Sequence, residues 1–142
     1  MASIPRKILV AVDGSEGSLR AADFAVGLAS KLESEMLFIN VVGASTTQRD
    51  YRIPADMVGS FEAMGSEALS KCEEKAKENG VKATSLEVSG NPVEEILESS
   101  REAGCDCIIL GKSGLGKIER LLMGSVSESV TKLSDVPVII VS

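Results

Sequence analysis

The sequence predicts an α/β fold: a single-domain open parallel five-stranded sheet with helices on both faces. Two observations and one packing rule predict it. Short apolar runs alternate along the chain with longer segments whose apolar residues recur at helical spacing. The first run, Ile8-Leu9-Val10-Ala11-Val12, is uninterrupted, as a strand buried on both sides requires. Strands that alternate with helices pair in parallel through crossover helices.

The elements follow in order. Arg6 to Asp13 is the first strand, stopped by Asp13-Gly14-Ser15. Ser15 is a plausible N-cap, and Leu19, Ala22, Ala25, Val26, Ala29 and Leu32 mark an amphipathic helix over residues 16 to 33. Met36 to Val42 is the second strand. From Gly43 to about Pro54 the chain is polar and rich in Ser and Thr, a long functional type of loop. Met57, Phe61, Met64, Ala68, Cys72 and Ala76 mark a long helix that ends at Asn79-Gly80, with Gly80 as the C′ residue. Its Met57, Phe61 and Met64 stripe reads as core or lid packing.

Val81 to Val88 alternates apolar and polar, which suits a sheet edge. Gly90-Asn91-Pro92-Val93-Glu94 is a helix start, with Asn91 as cap and Pro92 at the first helical position. That helix ends at Ala103-Gly104. Cys105 to Leu110 is the fourth strand, a helix follows over Ser125 to Leu133, and Val136 to Val141 is the last strand. The 142 residues are read as one domain, 1–142.

Composition removes several function classes. The net charge of −6 argues against a general nucleic-acid or anionic-membrane binder. No apolar run approaches the roughly 20 residues of a membrane span. Met1 to Arg6 has no apolar signal core, so the expected location is the cytoplasm. The chain has no histidine, which excludes Ser-His-Asp and Cys-His nucleophile schemes and histidine general bases. Its three cysteines form no C-x-x-C pair. Cys105 and Cys107 should alternate within a strand and face one side as buried apolar residues. No metal ligand set is read from them.

Chemistry is sought at the C-terminal ends of the strands, where open parallel sheets bind ligands. Two ends stand out: Asp13 after strand one, and Gly111-Lys112-Ser113-Gly114 after strand four. Glycines behind a strand hold backbone tightly, for a turn or for a ligand approaching the main chain. Such a loop, with a helix behind it, can also turn amide N–H groups toward an anion. If the two strands are neighbours, a carboxylate suited to a ribose hydroxyl faces a loop suited to phosphates.

Two familiar phosphate motifs fail on spacing. A Walker A loop ending in Gly111-Lys112-Ser113 would need a glycine where Asp106 stands. Gly111, Gly114 and Gly116 are spaced in the opposite sense to G-x-G-x-x-G. A flavin would be poorly stacked by a chain with one Tyr and no Trp.

The full pattern from Gly111 to Ser125 is G-x2-G-x9-G-S. Together with Lys7 to Ser15, Phe38-Ile39-Asn40-Val41-Val42, Gly90-Asn91-Pro92 and Val136 to Val141, it resembles the universal stress protein family, nucleotide-binding type. The likeness runs essentially end to end. It implies strand order 3-2-1-4-5, in the manner of Rossmann-like and adenine nucleotide alpha hydrolase-like folds. It implies ATP as the ligand, with Mg²⁺ or Mn²⁺. Asp13 would contact the ribose and the Val41 backbone the adenine, with Ala11 and Val12 lining the base pocket. Gly111, Gly114, Gly124 and Ser125 would hold the triphosphate, with Val126 close by. It also implies a homodimer paired through the last strand.

Asn40 stands where the family often has histidine, with little effect expected on binding. Lys112, Lys117 and Arg120 can offset phosphate charge. No efficient catalysis is expected, at most a weak ATPase using a carboxylate such as Asp50 or Asp56 from the long loop. The functional expectation is a nucleotide-dependent switch in stress response. The alternatives are a slow or partner-dependent ATPase and a dimeric adaptor binding AMP or cyclic AMP.

Overall fold

The computed structural model describes residues 4–42, 58–112 and 123–142, with side chains described for all of these except 58–62. The elements in chain order are β1 (Lys7–Ala11), α1 (Glu16–Leu32), β2 (Glu35–Val42), α2 (Val58–Glu78), β3 (Ala83–Ser89), α3 (Pro92–Ala103), β4 (Cys107–Gly111), α4 (Ser125–Leu133) and β5 (Val138–Val141). All strand pairs are parallel, and the sheet order is β3-β2-β1-β4-β5. This is the order that the family resemblance implied.

Strand β1 sits in the middle because its core is apolar toward both faces: Ile8, Leu9 and Val10 are fully buried. Ile8 and Val10 join a layer with Ala21, Ala25 and Ala29 of α1 and Ala68, Cys72 and Ala76 of α2. Leu9 joins the opposite layer with Ile96 and Leu97 of α3 and Val130 of α4. Alanines on α1 let that helix lie close to the sheet. Strand β3 lies at the sheet edge, as its sequence predicts, but its burial alternates only over Ala83 to Leu86 and leaves the apolar Leu86 40% exposed.

The helix ends follow local chemistry. The Ser15 side chain accepts from the Ser18 N–H, and Asn91 accepts from Glu94 N–H with Pro92 next in the first turn. Gly80 and Gly104 both take φ of +72°, the left-handed conformation that closes α2 and α3. Glu33 closes α1 at φ +60° without being glycine.

Cys105 and Cys107 do not face one side, contrary to the expectation from strand alternation. Cys107 opens β4 and packs in the α1/α2 layer, whereas Cys105 packs in the α3/α4 layer. Cys105 precedes the strand, so strand alternation does not govern it. The intervening Asp106 is turned instead to the start of β1, accepting from the backbone N–H of Arg6 and of Lys7 at 3.0 Å. Burial pushes the thiols of Cys72 and Cys105 up to about 11 and raises that of Cys107. All three are therefore apolar packing groups at neutral pH.

Candidate functional site

The C-terminal rim of the sheet gathers the ends of β1, β2 and β4. Strand β1 stops at Ala11, but the Val12 N–H still bonds the Ile39 carbonyl at 2.8 Å. The chain then leaves the sheet at Asp13. The Asp13 N–H donates to Ser18 Oγ at 3.2 Å, and Asp13 Oδ1 accepts from the Ser15 N–H at 2.9 Å. Asp13 thus makes a turn ahead of α1, while Ser15 supplies the cap itself. Between them, Gly14 adopts φ +90°, and a Cβ there would press on Met64 of α2 at 3.2 Å. The torsion favours glycine, and the contact leaves a Cβ little room. Met64 remains 39% exposed, so it covers this turn rather than filling the core.

Strand β4 ends at Gly111, and its glycine has a packing reason. A Cβ on Gly111 would lie 2.7 Å from the backbone carbonyl carbon and oxygen of Gly17, and 3.2 Å from the Ser18 nitrogen. The strand end therefore abuts the first turn of α1. On its other side, Ser127 of α4 donates through Oγ to the Gly111 carbonyl at 2.7 Å. The Lys112 carbonyl accepts from the Gly124 N–H at 2.8 Å. Gly111 is accordingly flanked by the N-termini of two helices, α1 and α4.

Gly124 is the N-cap of α4 and has no side chain to satisfy the first-turn amides. Ser125 and Val126 form the first two residues of that turn. The cap is Gly124 rather than Ser125, because Gly124 holds the extended conformation that a cap requires. A helix start without a capping side chain points its dipole and amides outward, an arrangement suited to an anion.

The residues predicted from sequence lie as follows. Asp13 and Gly111 are brought together: Ser18 bonds the first through its hydroxyl, and its backbone borders the second. Gly124, Ser125 and Val126 lie on the α4 side of the same rim. Val12 is buried and Ala11 partly buried, on opposite faces of the sheet. Val41 is at the end of β2, opposite Val88 of β3. Gly114, Lys117, Arg120, Asp50, Asp56 and Met57 lie outside the described residues, as does the side chain of Phe61.

Four residues of this rim were not singled out by sequence reasoning: Gly17, Ser18, Gly65 and Ser127. Ser18 was visible as a serine three residues after a capping serine. Nothing local marks the others, because each answers to a distant neighbour. Asn40, at the end of β2, is 3% exposed, and its Nδ2 donates to the Val12 carbonyl at 2.8 Å. A Cβ on Gly65 would fall within 2.4–2.6 Å of the Asn40 carboxamide. Glycine at 65 is what lets α2 close over that amide.

Among the described residues, no group of three or more Cys, Asp or Glu is arranged to hold a metal ion. No described helix is long and apolar enough to cross a membrane.

With this geometry in hand, comparison with known proteins gives a consistent picture. The model of the Universal stress protein family matches residues 5–142. Universal stress protein YxiE of Bacillus subtilis is 34% identical over 144 residues, covering 95% of this chain and 97% of that protein. Universal stress protein UspA from Lactobacillus plantarum superposes with a TM-score of 0.83 over 99% of this chain and 100% of its own, at 21% identity. A universal stress protein solved in complex with cAMP is 26% identical, with a TM-score of 0.72 and 98% coverage of both chains.

Proposed function

We propose that this chain, which belongs to the universal stress protein family, is a cytoplasmic adenine-nucleotide module that binds ATP and works as a nucleotide-dependent switch. The observation that carries the reading is the pairing of β1 with β4. It sets Asp13 and Gly111 at adjoining strand ends, with the first turns of α1 and α4 beside them. Asp13 takes the ribose, and the Val41 backbone reads the adenine beside Ala11 and Val12. Gly111, Gly114, Gly124 and Ser125 take the phosphates, with Val126 at their side. The start of α4, where the N-cap Gly124 has no side chain to bond the first-turn amides, fits phosphate oxygens. Mg²⁺ or Mn²⁺ arrives with the phosphates, since the described side chains supply no cluster for it.

The magnitudes agree. Micromolar affinity needs about −8 kcal/mol. Hydrogen bonds to charged groups contribute roughly 1.5–3 kcal/mol each, so three or four of them with a buried adenine face reach it after association costs. A homodimer through β5 is part of the proposal. Val138 to Val141 stand at the sheet edge, each half-buried in one chain, and an unpaired apolar edge is a liability that a second copy removes.

Calorimetry with ATP and Mg²⁺ tests the reading: binding is expected, and none at millimolar ligand overturns it. Gly114→Val is expected to weaken ATP by at least about tenfold. The cAMP complex of the 26% identical relative favours a second reading, a dimeric adaptor for a monophosphate. Competition among ATP, ADP, AMP and cAMP separates the two. Turnover is expected to be slow at most, since no histidine is present to serve as a base.

A further inference from the structure

The peptide unit that leads into Asp13 is gripped from two sides. Its carbonyl, on Val12, accepts from Asn40 Nδ2 of β2 at 2.8 Å. Its N–H, on Asp13, donates to Ser18 Oγ of α1 at 3.2 Å. Strand β1 has already ended at Ala11, so this carbonyl has left the ladder and needs a side-chain partner. One peptide plane fixed at both its oxygen and its nitrogen fixes the Asp13 Cα, from which the carboxylate reaches the Ser15 N–H at 2.9 Å.

The Asn40 amide is an expensive way to fill that space. It is 3% exposed, and its Oδ1 has no hydrogen-bond partner among the described residues. A buried acceptor left unpaired lowers stability, and an apolar residue would avoid that cost. What the amide supplies in return is its single bond to Val12. Glycine at 65 lets the α2 backbone pack directly on the carboxamide and hold its rotamer. Met64, next along α2, packs on Gly14 just beyond Asp13.

We propose that Asn40 is a positioning residue for nucleotide recognition: with Ser18 opposite, it sets the orientation of Asp13 and hence the preference for a ribose carrying both hydroxyls. The proposal rests on the ribose role of Asp13. It also replaces the expectation that asparagine at this position matters little.

The test measures affinities for ATP and for 2′,3′-dideoxy-ATP by calorimetry, in the wild type, Asn40→Leu and Ser18→Ala. Asn40→Leu keeps the branched shape and removes the donor; Ser18→Ala releases the same peptide from its other side with minimal change of shape. The wild type is expected to prefer ATP by about tenfold, and both variants to lose most of that preference, a shift of about 1.4 kcal/mol. A general loss of packing would weaken both nucleotides equally and leave the ratio intact. Variants that retain the wild-type ratio overturn the positioning role alone. A wild type that binds both nucleotides equally overturns the ribose reading of Asp13, and the positioning role with it. Should Asn40→Leu not fold, the Ser18→Ala ratio decides.

Discussion

The two rims of the sheet use the same amino acid for opposite ends. At the N-terminal rim, Asp106 receives both Arg6 and Lys7 N–H groups, Ser34 Oγ donates to the Pro5 carbonyl at 2.6 Å, and the Glu35 N–H meets the Arg6 carbonyl at 2.8 Å. Side chains there tie the chain to itself. At the C-terminal rim, Asp13 heads a turn built on a left-handed glycine, beside a strand end with no Cβ and a helix start with no capping side chain. One rim closes its backbone groups with side chains from distant parts of the chain. The other is opened by glycines, and the peptide that leads into its aspartate is held by two neighbouring elements. Similar residues thus fasten the sheet at one end and stand at the proposed site at the other, and the surroundings decide which.

The comparison is broken most forcefully at Gly111. Gly111→Val forces a branched side chain onto the backbone of Gly17 and is expected to cost about 3 kcal/mol, read as a lower urea midpoint. Next comes Asp106→Ala. It is expected to lower stability by about 2 kcal/mol through its lost charged hydrogen bonds while leaving ATP affinity unchanged. Asp13→Ala is expected to do the reverse, weakening ATP by about tenfold (about 1.4 kcal/mol) with less than about 1 kcal/mol of stability lost. Calorimetry and urea titration of the pair check both. If the two aspartates behave alike, the division between rims fails.

A subtler test uses pH. Cys72 and Cys105 have thiols pushed from 9.0 to about 11 by burial, so the folded state holds these protons more tightly than the unfolded chain. Their contribution to stability is fully present below pH 9 and is lost as pH rises from about 9 to 11. Urea midpoints across that range should fall, and fall less in Cys72→Ala relative to its own value at pH 8. The smallest effect belongs to the surface pair Lys75–Asp23, whose atoms lie 2.7 Å apart on half-exposed side chains. Asp23→Asn is expected to change stability by under about 0.5 kcal/mol.

What the sequence made legible was whatever is decided within a few residues. Ser15, Asn91 with Pro92, Gly80 and Gly104 mark helix ends by their own chemistry, and each does so in the structure. The buried run of β1 and the alternation of β3 placed a central and an edge strand. The order of strands came from family likeness, because pairing depends on which distant runs meet. The cysteine pair was misread because Asp106 answers to Arg6, 100 residues earlier, and no local pattern records that. Within the site, Asp13 and Gly111 were visible as odd residues at strand ends. Gly17 and Gly65 were not, since each is small only to admit a remote backbone or amide.

The central strand carries one more consequence, for the order in which the protein is made. On one side β1 pairs with β2, whose first residue lies only a helix away in the chain. On the other it pairs with β4, where Ile8 meets Cys107. A ribosome releases the β1–α1–β2 unit long before it has synthesised the strand that completes it. During that interval Ile8, Leu9 and Val10 keep one unpaired flank exposed to whatever is nearby. Closing this seam waits on contacts about a hundred residues apart, the kind that slow folding most. The strand that anchors the finished sheet is therefore also the edge that the nascent chain must shield the longest.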